Sequence, residues 1–139
     1  MARSNLHMVV AALSVSILAC DDGGTEPTPS ACESVASIEI EGGVQPGLSW
    51  TPRCAVATIS VQDSASGEDL WRVTALPSDG DGTFDNALLP GISYGNVPPG
   101  ATQLFEAQPL QQGTAYLVVL SVATSPTTTQ SIKWVYFRP

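Results

Sequence analysis

The chain has 139 residues, room for one domain and a targeting segment. Thirteen acidic residues stand against five basic ones, a net charge of −8, which removes any electrostatic basis for holding nucleic acid. One histidine and three cysteines leave few groups for proton transfer or metal ligation.

Arg3 and the amino terminus supply positive charge, Met8 to Ala19 form an uncharged and largely apolar run, and Cys20-Asp21-Asp22 ends it abruptly. This order matches the charged, apolar and small-residue regions of a secretory signal, expected as an N-terminal helix over residues 1–19. The twelve residues of the apolar run would span only about 18 Å as a helix, against roughly 30 Å of hydrocarbon. A permanent transmembrane helix is not expected.

At the end of that run, Ile17-Leu18-Ala19-Cys20 resembles the lipobox of bacterial lipoproteins. The resemblance implies cleavage before Cys20 and a diacylglycerol in thioether linkage to its sulfur. Each buried methylene contributes about 0.8 kcal/mol, so two or more acyl chains hold a protein firmly where one would be marginal. The expected location is the exported side of a membrane in the cell envelope, with inner and outer membrane left open. Cleavage by the general signal peptidase, giving a free secreted protein, is the alternative. Removal of residues 1–19 also takes away Arg3 and His7, leaving four basic residues against all thirteen acids and a net charge of −9.

With Cys20 assigned to lipid, Cys32 and Cys54 remain as a pair in an oxidising compartment. A disulfide is the expectation, and two separate buried thiols are the alternative. After Cys20, Asp21 to Ala31 reads DDGGTEPTPSA, too polar to order itself, so residues 20–31 are taken as the lipidated cysteine and a flexible linker. Its eleven residues reach at most about 36 Å, which holds the domain at 32–139 close to the bilayer.

That domain is expected to be all-β. Ala36, Ile38 and Ile40 alternate with Ser37, Glu39 and Glu41; Leu48 and Trp50 share a face in the next segment. Ala55, Ala57, Ile59 and Val61 alternate up to Gln62-Asp63, and Ser64 to Gly67 reads as a hairpin turn into Leu70–Ala75. A long loop rich in Gly, Asp and Pro is expected over 76–100. Thr102–Ala107, Ala115–Val122 and Ser131–Arg138 supply three more strands. Seven strands at this spacing argue for an antiparallel sandwich.

Leu110-Gln-Gln-Gly113-Thr-Ala-Tyr116 resembles the E–F corner of fibronectin type III domains, and Leu48-Ser-Trp50-Thr-Pro52 resembles their strand B. The resemblance covers Ser34 to Pro139. It implies a tyrosine corner, in which the Tyr116 hydroxyl turns back to the backbone of the Leu110–Gly113 turn, with Trp50 buried beneath it. Val118, Leu120 and Val122 would line the core on the same face as Tyr116. An immunoglobulin-like sandwich of another topology accommodates the same spacing.

Loss of His7 with the signal excludes histidine-assisted nucleophiles and histidine-ligated zinc, and no enzymatic activity is expected. Asp79, Asp81 and Asp85 alternate with glycines and form the one calcium candidate, although their spacing fails the EF-hand template. Turn geometry accounts for the same residues, so no metal or other cofactor is expected beyond the lipid. Trp71, Tyr94, Trp134, Tyr136 and Phe137 could include an exposed platform. On the final strand Ile132, Trp134 and Tyr136 are expected on one face, with Lys133, Val135 and Phe137 on the other. These features suggest a membrane-anchored, non-enzymatic binding or scaffold module whose partner is an envelope protein or a glycan. The alternatives are a surface adhesion or carbohydrate-binding domain and an accessory subunit of an envelope complex.

Overall fold

The computed structural model describes residues 29–75 and 84–139. Cys20, the signal at 1–19, most of the linker, and Asp79 and Asp81 lie outside the described residues.

Among the described residues eight strands follow one another: β1 (Ser37–Glu41), β2 (Gly47–Thr51), β3 (Thr58–Asp63), β4 (Asp69–Ala75), β5 (Ile92–Ser93), β6 (Ala101–Phe105), β7 (Tyr116–Ser125) and β8 (Thr128–Phe137). They form two antiparallel sheets, ordered β1-β2-β5 and β6-β4-β3-β7-β8, and no α-helix occurs among the described residues. The sheets share one core, the arrangement of a β-sandwich.

Alternation sets which face goes inward. Leu48 and Trp50 of β2 meet Ile59 and Val61 of β3, Trp71 and Val73 of β4, and Tyr116, Val118, Leu120 and Val122 of β7 in that core. Each fully buried aliphatic side chain contributes about 1.5–3 kcal/mol, and the period of two allows no other register without turning these residues to water.

The expected seven strands are all present, and an eighth lies inside the segment expected to be a loop. Ile92 and Ser93 pair with Leu48 and Gly47, and Leu88 makes an isolated bridge to Val56. Two residues are too few to display an alternation, which is why the sequence pattern missed this strand.

Chain entry is tied down at one end of the sandwich. Ala31 bridges Ala55 in parallel, with Cys32 N donating to Ala55 O at 2.8 Å and Ala55 N to Ser30 O at 2.9 Å. Beside that bridge Cys32 and Cys54 form a disulfide with their Cα atoms 5.0 Å apart. The pairing expected from the cysteine count is therefore present. The same end carries the turn between β7 and β8, while the Tyr116 end of β7 and the Phe137 end of β8 lie at the opposite pole.

On β8 one expectation needs correction. The register passes from Leu120↔Lys133 to Ser121↔Ser131, so Ile132 is the extra residue of a β-bulge. Ile132 packs against the core, whereas Trp134 and Tyr136 face outward. A strict period of two had placed all three together; the bulge breaks that period. Val135 and Phe137 do pack inward, and Lys133 reaches across the sandwich to donate from Nζ to Ala36 O at 2.9 Å.

Candidate functional site

Tyr116 opens β7, and its hydroxyl accepts a hydrogen bond from Gln111 N at 2.8 Å. Gly113 has φ +78°, a conformation that favours glycine, and its N–H donates to Pro139 O at 3.1 Å. Leu110 is buried beside them. The ring beside Tyr116 is that of Phe137, with centroids 5.7 Å apart. Trp50 is anchored elsewhere in the core, donating from Nε1 to Cys54 O at 3.0 Å. These groups hold the fold.

Asp85, the one calcium candidate among the described residues, is exposed and accepts from Asn86 N at 2.7 Å. Among the described residues no three His, Cys, Asp or Glu side chains gather as a metal site. A concavity of about 290 Å³ lies between Val44, Tyr94, Ala107 and Leu110. Its phenol already donates to Gln108 O at 2.7 Å, and burial pushes the Tyr94 pKa up to about 12. This hollow offers apolar contact with no free charged group.

The outer face of the five-stranded sheet is different. Thr58, Ser60 and Gln62 alternate with inward-facing Ile59 and Val61, and so project away from the core. Outward residues of an exposed sheet are normally solvated, yet Thr58 is only 9% exposed and Ser60 only 4%. They form the floor of a trough of about 190 Å³, with Arg72 and Leu104 on one side and Ser121 and Ser131 on the other. At the end nearest the β7–β8 turn lies Phe84, whose N–H donates to Pro126 O at 2.7 Å.

The polar groups of the trough are largely organised by one another. Thr58 and Thr74 hydroxyls are 3.3 Å apart, and Thr74 donates to Ala57 O at 3.1 Å. Ser121 and Ser131 hydroxyls are also 3.3 Å apart. Asp69 pairs with Arg72 and accepts from Gln62 Nε2 at 3.1 Å, while the Arg72 guanidinium lies 5.4 Å from the centre of the Phe105 ring. Arg72 Nε is buried and has no hydrogen-bond partner among the described residues. Such orphaned donors are uncommon and costly, and this one belongs to a side chain that lines the trough.

Exposed apolar side chains flank the face at both edges. On β6 they are Leu104 and Phe105; on β8 they are Trp134 and Tyr136, 60% and 65% exposed. Trp134 is registered against Val119, which lines the trough, and Tyr136 against Leu117. Five strands at about 4.8 Å spacing make the face roughly 19 Å wide between its edge strands. The sequence pattern had singled out Trp134 and Tyr136 but missed Ser60, Gln62 and Arg72, because on single strands these read as ordinary solvent-side residues.

Comparison of the chain with protein-family models, with curated proteins and with solved structures finds no match.

Proposed function

We propose that this chain is a lipid-anchored, non-enzymatic binding or scaffold module displayed on the exported side of a membrane. In this reading Cys20 carries the lipid, and the chain from there to the Ser30–Ala31 attachment forms the leash, shorter by two residues than the linker expected over 20–31. A fibronectin type III-like sandwich presents the outer face of its larger sheet to a partner. The observation that carries the binding role is the pair Trp134 and Tyr136, exposed on the edge strand beside a recessed polar trough. Exposed aromatic residues grouped on one face are a common mark of interaction surfaces.

The fibronectin-like assignment is supported by the Tyr116–Gln111 hydrogen bond at the start of β7, and by β2 and β7 lying in opposite sheets as strands B and F do. β4 pairs with β3, which departs from the constant-type immunoglobulin order, where the fourth strand joins the other sheet. Because β5 lies beside β2 in the place of strand E, β6 and not β5 is the strand outside the seven-stranded fibronectin-like plan.

The anchor is supported by the Ile17–Cys20 motif, and the place of chain entry sets the orientation it would impose. The described chain enters at the Ala31–Ala55 bridge, so a short leash from Cys20 would turn the β7–β8 hairpin end toward the membrane and Tyr136 away from it. Two measurements test the proposal. Cells fed a fatty-acid analogue should label the wild-type chain and not a Cys20→Ser variant; equal labelling of both would sink the anchor. Photocrosslinking from positions 134 and 136 should capture a defined envelope component that is not captured from position 44 in the β1–β2 turn.

A further inference from the structure

We infer that the outer face of the five-stranded sheet binds a neutral glycan, with Trp134 as the stacking platform and Ser60, Gln62 and Arg72 as its hydrogen-bonding groups. This rests on the binding-module reading and names the ligand class for that same face.

A pyranose ring has an apolar face of C–H groups and a rim of hydroxyls that both donate and accept. Recognition of it calls for an aromatic plane beside a small number of fixed polar groups. Trp134 presents an exposed indole at the edge of this face, and Tyr136 extends the platform along β8 by two residues, about 6.7 Å. Ser60 supplies a hydroxyl that can donate and accept, Gln62 an amide with both functions, and Arg72 donors only. The Arg72 side chain is about a third exposed along the trough, so the outer N–H groups of its guanidinium, not the buried Nε, can donate to a ligand hydroxyl.

Charge selects a neutral ligand. Asp69 already balances Arg72, the remaining named groups of the trough are uncharged, and the protein as a whole carries −8. An acidic polysaccharide would be repelled at range and would find no free cation on arrival. Size selects an extended one. At about 190 Å³ the trough falls below the roughly 300–1,000 Å³ of pockets that enclose small molecules. One sugar unit would fill it, with the chain continuing over the aromatic edge.

The competing occupants fit less well. A protein interface core seldom tolerates a floor of hydroxyls that its apolar side chains would leave unpaired. Strand addition at β8 is opposed by the bulge at Ile132 and by Lys133, which is drawn inward to Ala36 O.

The test uses the full chain on an array of neutral gluco-, galacto-, manno-, xylo- and N-acetylglucosamine oligosaccharides, with sialylated and sulfated oligosaccharides as controls. Neutral glycans should bind, and titration of the best one should change tryptophan fluorescence. Trp134→Ala should weaken binding about tenfold or more, Trp134→Phe should retain most of it, and Ser60→Ala and Arg72→Lys should each weaken it severalfold. Val44→Ala, in the β1–β2 turn of the other sheet, should change nothing. Near-ultraviolet circular dichroism confirms that each variant is folded. Preference for sulfated glycans, or binding that survives Trp134→Ala, overturns the inference. If no glycan binds but position 134 crosslinks an envelope protein, the glycan assignment falls while the binding module stands; if neither occurs, both fall.

Discussion

Trp50 and Cys54 are joined by a hydrogen bond of 3.0 Å from the indole Nε1 to the half-cystine's carbonyl oxygen. The link couples the Cys32–Cys54 bridge, where the chain enters the sandwich, directly to the buried core. Cross-linking residues 22 apart in sequence restricts the unfolded chain by about 3 kcal/mol on the chain-entropy argument. A Cys32→Ser/Cys54→Ser double variant should lose about that much stability in urea unfolding. Reductant should shift the wild-type midpoint toward that of the double variant and leave the double variant unmoved.

Trp50→Phe should preserve most of the packing but leave the Cys54 carbonyl unpaired, at a cost of about 1–3 kcal/mol. Because the two changes share Cys54, the triple variant should cost less than the sum of the separate effects. Strict additivity in denaturant unfolding would show that the indole bond and the bridge act independently.

Tyr94 ties three segments together, its hydroxyl donating to Gln108 O at 2.7 Å and lying 3.4 Å from Leu70 O, its ring edge-on to Trp71 at 5.3 Å. Burial raises its pKa from 10.0 to about 12. The unfolded chain ionises at the lower value, so this residue's contribution is complete below pH 10 and is lost as pH rises through about 12. Absorbance titration should find the Tyr94 phenol still protonated above pH 11 in the folded protein. Tyr94→Phe should remove that late step, lower stability at pH 7 by about 1 kcal/mol, and flatten the alkaline loss.

Tyr116→Phe isolates the corner at the start of β7. The ring and its packing against Phe137 remain, but Gln111 N loses its acceptor. The expected loss is about 0.5–1.5 kcal/mol, against 3–5 kcal/mol for Tyr116→Ala, which also empties part of the core. Equal losses for the two variants would mean that the hydroxyl dominates.

Period-two alternation exposed most of this fold in advance. Segments such as Ala36–Ile40 and Ala55–Val61 each keep one apolar face, because a sheet packed on one side permits little else. Ile92–Ser93 escaped, being too short to carry a period, and Ile132 escaped because a bulge interrupts one. The trough was hidden for another reason. Ser60, Arg72 and Ser131 come from three strands, and only the registers Ser60↔Arg72, Thr58↔Ser121 and Ser121↔Ser131 bring them onto one surface. Trp134 and Tyr136 were visible as aromatic residues on a final strand; their exposure follows from β8 being an edge.

Asp63 organises the β3–β4 hairpin and should give it an acid-sensitive step. Its Oδ1 accepts from Ala65 N and Ser66 N, both at 2.9 Å, and from Ser66 Oγ at 3.2 Å. The backbone closes the same turn, with Gly67 N donating to Asp63 O at 2.8 Å and Asp63 N to Glu68 O at 3.0 Å. The Ser66 amide, followed by that of Ala65, holds the carboxyl pKa below its ordinary 3.8. The unfolded chain takes up a proton at the ordinary value, so the contribution is whole above pH 3.8 and disappears as pH falls through the lower folded value. Asp63→Asn keeps an acceptor oxygen without the charge, and asparagine suits such a turn. Thermal unfolding from pH 7 down to pH 2 should therefore show a wild-type advantage over Asp63→Asn that is constant near neutrality and shrinks below pH 3.8. Asp63→Ala, lacking the acceptor, should stay below both at neutral pH. A wild-type advantage over Asp63→Asn that persists at pH 2 would mean that the charged carboxylate is not what the turn amides hold.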